Sequence, residues 1–171
     1  MAGSVLCLAW FAPTTVSAQI LPTESAVKAA YLFRFISYVE WPPLALPAAP
    51  APIVIGVLGS EAVASELPAV LAGRNINGQE VVARALPATS SLDGVNVLFV
   101  GRGADADKAL DRLGRRPVLV VTESIVEPGG MLNFIVVDGR VRFEAAPALA
   151  EAVGLKLGAR LLAVSERVVK P

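Results

Sequence analysis

The sequence predicts an α/β fold: a single compact domain, its mostly parallel sheet flanked by helices, with a C-terminal β-hairpin over residues 131–145. Three observations predict it. Residues 53–58 are a continuous apolar run of strand length, the mark of a strand covered on both faces, and residues 95–100 and 118–121 read as two further buried strands. Helical patterns alternate with these runs, which argues for a parallel layer. Asp138-Gly139 then divides two alternating stretches, the signal for a type I′ hairpin turn.

Each element follows from local chemistry. Thr23 caps a helix predicted over residues 24–40, with Glu24 in the first turn, where the helix dipole favours an anion. Trp41 precedes Pro42, which pushes it out of helical geometry and ends the helix. Glu24, Lys28, Arg34 and Ser37 form only a narrow wet stripe, so the apolar face is wider than a surface helix needs. A linker rich in proline and alanine covers residues 42–52. After the strand at 53–58, Gly59-Ser60 opens a helix to residue 71, interrupted or restarted at Pro68. Asn77-Gly78 is a turn, and residues 79–86 alternate enough to be a strand. A helix is predicted over 104–113, with Asp105 and Asp107 early, Arg112 late and Gly114 as its stop.

In the hairpin, a two-residue loop pairs Val137 with Arg140, Val136 with Val141, Ile135 with Arg142, and Phe134 with Phe143. Phe134, Val136, Val141 and Phe143 then share a core-facing side, and Asn133, Ile135, Arg142 and Glu144 share the other. Pro147 starts a helix to residue 153, and residues 155–164 read as a last helix. There is no internal repeat.

Residues 1–18 carry no charge, contain the apolar run Val5-Leu6-Cys7-Leu8-Ala9-Trp10-Phe11-Ala12 and end Val16-Ser17-Ala18. That resembles a secretory signal peptide cleaved before Gln19, although the usual positive start is missing. The apolar core is shorter than the roughly 20 residues that span a bilayer. The expected division is therefore a signal peptide at 1–18 and one domain at 19–171, of ordinary domain size.

Inventory excludes several chemistries. The chain has 15 Lys and Arg against 15 Asp and Glu, scattered without a basic run, so nucleic acid is not an expected partner. Histidine is absent, which removes His-based triads and His-containing zinc sites. The only cysteine, Cys7, lies in the segment expected to be removed, so the processed chain has no thiol for an intrachain disulfide. With no histidine to activate a serine, no catalytic residue is expected, nor any metal or cofactor.

One pattern invites a cofactor. Gly101-Arg102-Gly103-Ala104-Asp105-Ala106 fits the loose G-x-G-x-x-A form between a strand and a helix, and Glu123 ends the next strand. Asp105 and Asp107 would repel a pyrophosphate from the helix start that must bind it, so the glycines are expected to serve tight packing instead. Two other places remain. On the hairpin, Asn133, Arg142 and Glu144 can meet across strands, with Arg142 offering a planar fork to an anion. On the first helix, Tyr31, Phe33, Phe35, Tyr38 and Trp41 form a dense aromatic set; most is core, and an exposed remainder would mark a protein contact.

Residues along the whole processed chain resemble one family. Ala26-Val27-Lys28-Ala29-Ala30-Tyr31-Leu32-Phe33-Arg34-Phe35 running into Val39-Glu40-Trp41-Pro42 is similar to the opening of YfiR-like periplasmic proteins. The similarity continues through Ile55-Gly56-Val57-Leu58-Gly59, Val95-Asn96-Val97-Leu98-Phe99-Val100, Gly129-Gly130-Met131-Leu132-Asn133-Phe134 and Val141-Arg142-Phe143-Glu144. It closes with Gly154-Leu155-Lys156-Leu157 and Arg160-Leu161-Leu162. The resemblance implies a periplasmic α/β repressor that forms a homodimer. It implies binding to the periplasmic sensor domain of an inner-membrane diguanylate cyclase, or another membrane sensor, which is held inactive. Release would raise cyclic di-GMP and promote biofilm, and an outer-membrane lipoprotein could sequester the repressor. Two departures from the family pattern stand out: Ala145-Ala146-Pro147 where an asparagine commonly follows the Phe-Glu pair, and Gly158-Ala159 where serines often precede Arg160.

The expected partner-binding residues are those on the exposed part of the first helix, Tyr31, Arg34, Phe35 and Tyr38. A ligand or partner contact is expected at Asn133, Arg142, Glu144 and Arg160. The alternative is a periplasmic small-molecule-binding module of a sensing or transport system, with its pocket at the carboxyl ends of the strands near Gly59-Ser60 and Gly101 to Gly103.

Overall fold

The computed structural model describes residues 21–123 and 129–170. The predicted signal peptide and Cys7 lie outside the described residues. Helix α1 (Glu24–Tyr38) starts at Thr23, whose Oγ1 accepts the Ala26 N–H at 3.1 Å. It ends two residues earlier than predicted, because Val39–Glu40 forms a short strand, β1, paired antiparallel with Lys156–Leu157. The Trp41 indole N–H folds back and donates to the Ile36 carbonyl at 3.1 Å, occupying one of the acceptors that a helix end leaves free.

Strand β2 (Ile53–Leu58) and helix α2 (Glu61–Leu71) follow, with Ser60 capping the helix. Pro68 is accommodated within α2, which runs on to Leu71 without a break. β3 (Asn75–Ile76) and β4 (Gln79–Leu86) form a small hairpin around Asn77-Gly78, both at positive φ (52° and 82°). β5 (Val97–Val100), α3 (Ala106–Leu113) and β6 (Leu119–Thr122) come next. Asp105 caps α3 by accepting the Lys108 N–H, which holds its carboxyl below the ordinary value.

β7 (Leu132–Val137) and β8 (Arg140–Ala145) form the predicted C-terminal hairpin, in the predicted register, with Asp138 and Gly139 at φ 49° and 70°. α4 (Pro147–Glu151) follows. The segment predicted as a last helix over 155–164 is different. It divides into β9 (Lys156–Leu157), the short helix α5 (Ala159–Ala163) and, further on, β10 (Arg167–Val168). Pairing with β1 draws Lys156 and Leu157 out of the helical pattern that their sequence allows.

The main sheet has eight strands in the order β10-β8-β7-β6-β5-β2-β4-β3, parallel except at the β3–β4 and β7–β8 hairpins. The apolar runs read as doubly covered strands are buried along their length. One face of the sheet presents Phe99, Phe134 and Phe143 to α1. The hairpin outgrows its neighbours, because β6 and β10 pair only with its inner residues, at 132–133 and 144–145. Val136, expected to face the core, is therefore 46% exposed at the projecting end.

Candidate functional site

Three polar or aromatic places emerge, each built by elements distant in sequence. The first is a groove of ≈ 510 Å³ between α1 and α5, lined by Tyr31, Arg34, Phe35, Tyr38, Arg160 and Val164 among others. Its geometry starts from one glycine. The Gly158 N–H donates to the Tyr38 carbonyl at 2.9 Å, and a Cβ on Gly158 would lie 2.7 Å from that same oxygen. Only glycine lets the start of α5 come this close to the end of α1, and this contact sets Arg160 on the same groove as Arg34.

The floor is aromatic. Phe35 stacks on Tyr31 at 5.6 Å between ring centroids and meets Phe143 edge-on at 5.0 Å. Phe35 is 1% exposed, which corrects its expected place on the exposed side of the helix. It is a core residue supporting the groove, whereas Tyr31 is half-buried and Arg34 and Tyr38 are exposed. Neither Arg34 nor Arg160 has an ion pair or side-chain hydrogen bond among the described residues. The groove thus joins an apolar floor to two uncompensated guanidinium groups, with exposed Tyr38 and Val164 on its lips.

The second place is a polar row across four strands on the other side of the hairpin. Thr122 Oγ1 donates to Asn133 Oδ1 at 2.9 Å, Asn133 Nδ2 donates to Glu144 Oε2 at 3.3 Å, and Arg167 Nη2 donates to Glu144 Oε1 at 2.6 Å. The expected meeting of Asn133 and Glu144 is present. Arg142 stands on the same side, opposite Ile135, but is exposed and takes no part in the row, which lies where the hairpin is paired on both sides. The cation that reaches Glu144 is Arg167, which sequence reasoning missed, since β10 was not predicted. Arg160, grouped in expectation with Glu144, lies instead in the α1–α5 groove.

The third is an ion network at the carboxyl ends of the strands. Lys28, expected on the wet stripe of α1, is 4% exposed. Its Nζ bonds Glu24 and, at 2.8 Å, Glu123, which also takes Arg102 Nε at 2.9 Å. The signal was present: Lys28 is spaced four, seven and eight residues from buried Leu32, Phe35 and Ile36, on the apolar stripe. The Lys28 hydrogen bond, opposed by partial burial and aided by the Lys28 and Arg102 charges, holds the Glu24 carboxyl below its ordinary 4.5.

A polar depression of ≈ 370 Å³ lies beside this network, lined by Lys28, Ser60 and Glu123. The glycine pattern does not open a cradle there. A Cβ on Gly101 or Gly103 would lie 2.7 or 2.9 Å from the Gly59 carbonyl oxygen, so these glycines pack one loop against the other, as expected. Among the described residues, no three His, Cys, Asp or Glu side chains gather where they could hold a metal, and no helix is long and apolar enough to cross a membrane.

Fold and groove define the class: an α/β domain whose sheet, covered on both faces, carries a surface trough with an aromatic floor and a cationic rim. The YfiR/HmsC-like family model matches residues 25–166, and the chain belongs to that family. The family is one of periplasmic, non-catalytic regulatory proteins. No curated protein matches the chain.

Proposed function

We propose that this protein is a non-enzymatic periplasmic regulator, exported by its N-terminal segment, that binds the periplasmic sensor domain of an inner-membrane signalling protein and represses it. A diguanylate cyclase is the favoured receptor, so that release raises cyclic di-GMP and promotes biofilm. The α1–α5 groove carries this reading: Arg34 and Arg160 stand uncompensated above an aromatic floor. An exposed apolar patch with charged margins suits a protein partner, and arginine and tyrosine are the residues that most often anchor one. Repression requires tighter binding to the receptor's inactive state than to its active one. The absence of histidine and the engagement of Lys28 by two glutamates support a role without catalysis.

The test uses the ectodomain of a membrane cyclase or sensor encoded beside this chain's gene. Alanine at both Arg34 and Tyr38, or glutamate at both Arg34 and Arg160, should abolish its capture while leaving the melting temperature within a few degrees. Undiminished capture by the folded variants would refute the groove. Sequestration by an outer-membrane lipoprotein, tested by competition, and homodimer formation, tested by light scattering, belong to the same reading. The second reading, a small-molecule-binding module, draws on the groove volume, which falls within the range of about 300–1,000 Å³ common for ligand pockets. A ligand that raises the melting temperature of the wild type but not of the Arg34 and Arg160 variant would favour it.

A further inference from the structure

We propose that a separate apolar pocket between α3 and α4 binds the hydrocarbon chain of a small aliphatic carboxylate, whose head group is taken by Arg115. The pocket measures ≈ 270 Å³ and is lined by Leu110, Leu113, Val120, Met131, Leu149 and Val153, among others. By strand alternation Val120 faces away from the side of β6 that carries Val121, so this pocket and the α1–α5 groove lie on opposite faces of the sheet. The inference therefore stands independently of the proposed repressor function.

The lining selects the chain. Apart from Arg115 and Arg116 it offers no hydrogen-bonding side chain, so a sugar, a base or an ordered water would give up most of its hydrogen bonds on entry. Leu149, 44% exposed on the lip, gains from being covered. A cavity of about 150 Å³ takes benzene, with its six carbons, so this one has room for a chain of about eight to ten.

The mouth selects the head group. Arg116 lies there but is already paired with Asp93 at 3.0 Å and bonded to the Leu113 carbonyl at 3.2 Å. Arg115 makes a single 3.3 Å hydrogen bond to the Ala152 carbonyl, at the end of α4, and has no ion pair among the described residues. On the pocket's lining and tied to the end of α4, its guanidinium keeps donors to spare, and a carboxylate matches that planar fork.

Calorimetric titration of the purified protein with butyrate, octanoate, decanoate, dodecanoate and decanol, each below its micelle concentration, tests the inference. Affinity should rise about fourfold per added methylene up to about ten carbons and then level off. Arg115→Gln should reduce decanoate affinity to that of decanol and leave decanol unchanged. Leu149→Glu, on the exposed lip, should weaken both, and Val153→Trp should do the same by filling the space. Lack of saturable decanoate binding, or binding untouched by both Leu149→Glu and Val153→Trp, would overturn the pocket. Decanoate affinity unchanged in Arg115→Gln would overturn the head-group assignment.

Discussion

Glu144 and Arg167 form an ion pair whose two ends live in different surroundings: the carboxylate is buried and also accepts from Asn133, while the guanidinium is exposed. Removing the buried acceptor strands donors in the sheet, whereas removing the exposed donor lets water take its place. Glu144→Ala should therefore cost about 1–3 kcal/mol in urea unfolding, and Arg167→Ala no more than about 1 kcal/mol. Equal costs would contradict this asymmetry. At Glu24 the relevant variable is pH. Its folded-state carboxyl is held below 4.5 by Lys28, so the stabilisation it contributes is complete above that value and is lost as pH falls through the lowered folded value. The stability gap between wild type and Glu24→Gln should be present at neutral pH and close on acidification; a gap that widens in acid would contradict the assignment.

At the scale of elements, α1 is at once a core helix and one wall of the groove, and single substitutions separate the roles. Phe35→Ala should cost about 3–5 kcal/mol, because it empties the centre of the aromatic cluster. Tyr38→Ala should change stability by no more than about 0.5 kcal/mol, as an exposed position does. The α1–α5 junction depends on a missing side chain. Gly158→Ala places a methyl group against the Tyr38 carbonyl and should destabilise by about 1–3 kcal/mol in thermal or urea unfolding. It should also weaken partner capture, since α5 must move and Arg160 moves with it. The C-terminal segment shows how pairing overrides pattern. Residues 155–164 carry helical periodicity, yet β1 takes Lys156 and Leu157 as strand partners and leaves a five-residue helix behind them.

At the scale of the whole molecule, the two faces of the sheet differ. One is packed with aromatic rings against α1 and carries the α1–α5 groove; the other is covered by short helices and retains an apolar pocket. If the arginine rim binds an acidic receptor surface, capture should weaken several-fold between low and physiological salt and the Arg34 and Arg160 double variant should lose that dependence, as surface-plasmon measurements would show. Salt-independent capture would point to the apolar lips alone.

The sequence by itself determined the α/β class, the buried strands and the register of the β7–β8 hairpin. These follow from apolar runs and from a turn dipeptide, signals carried by neighbouring residues. Family membership was legible in the same way, as ordered motifs along one chain. It did not determine that Lys28 pairs with Glu123, that Phe35 is a floor, that Arg167 reaches Glu144, or that Arg160 belongs with Arg34. Each of those depends on contacts between segments far apart in sequence. The β1–β9 pairing and the close approach of Gly158 to Tyr38 decide where α5 sits, and no local pattern of hydrophobicity encodes that approach.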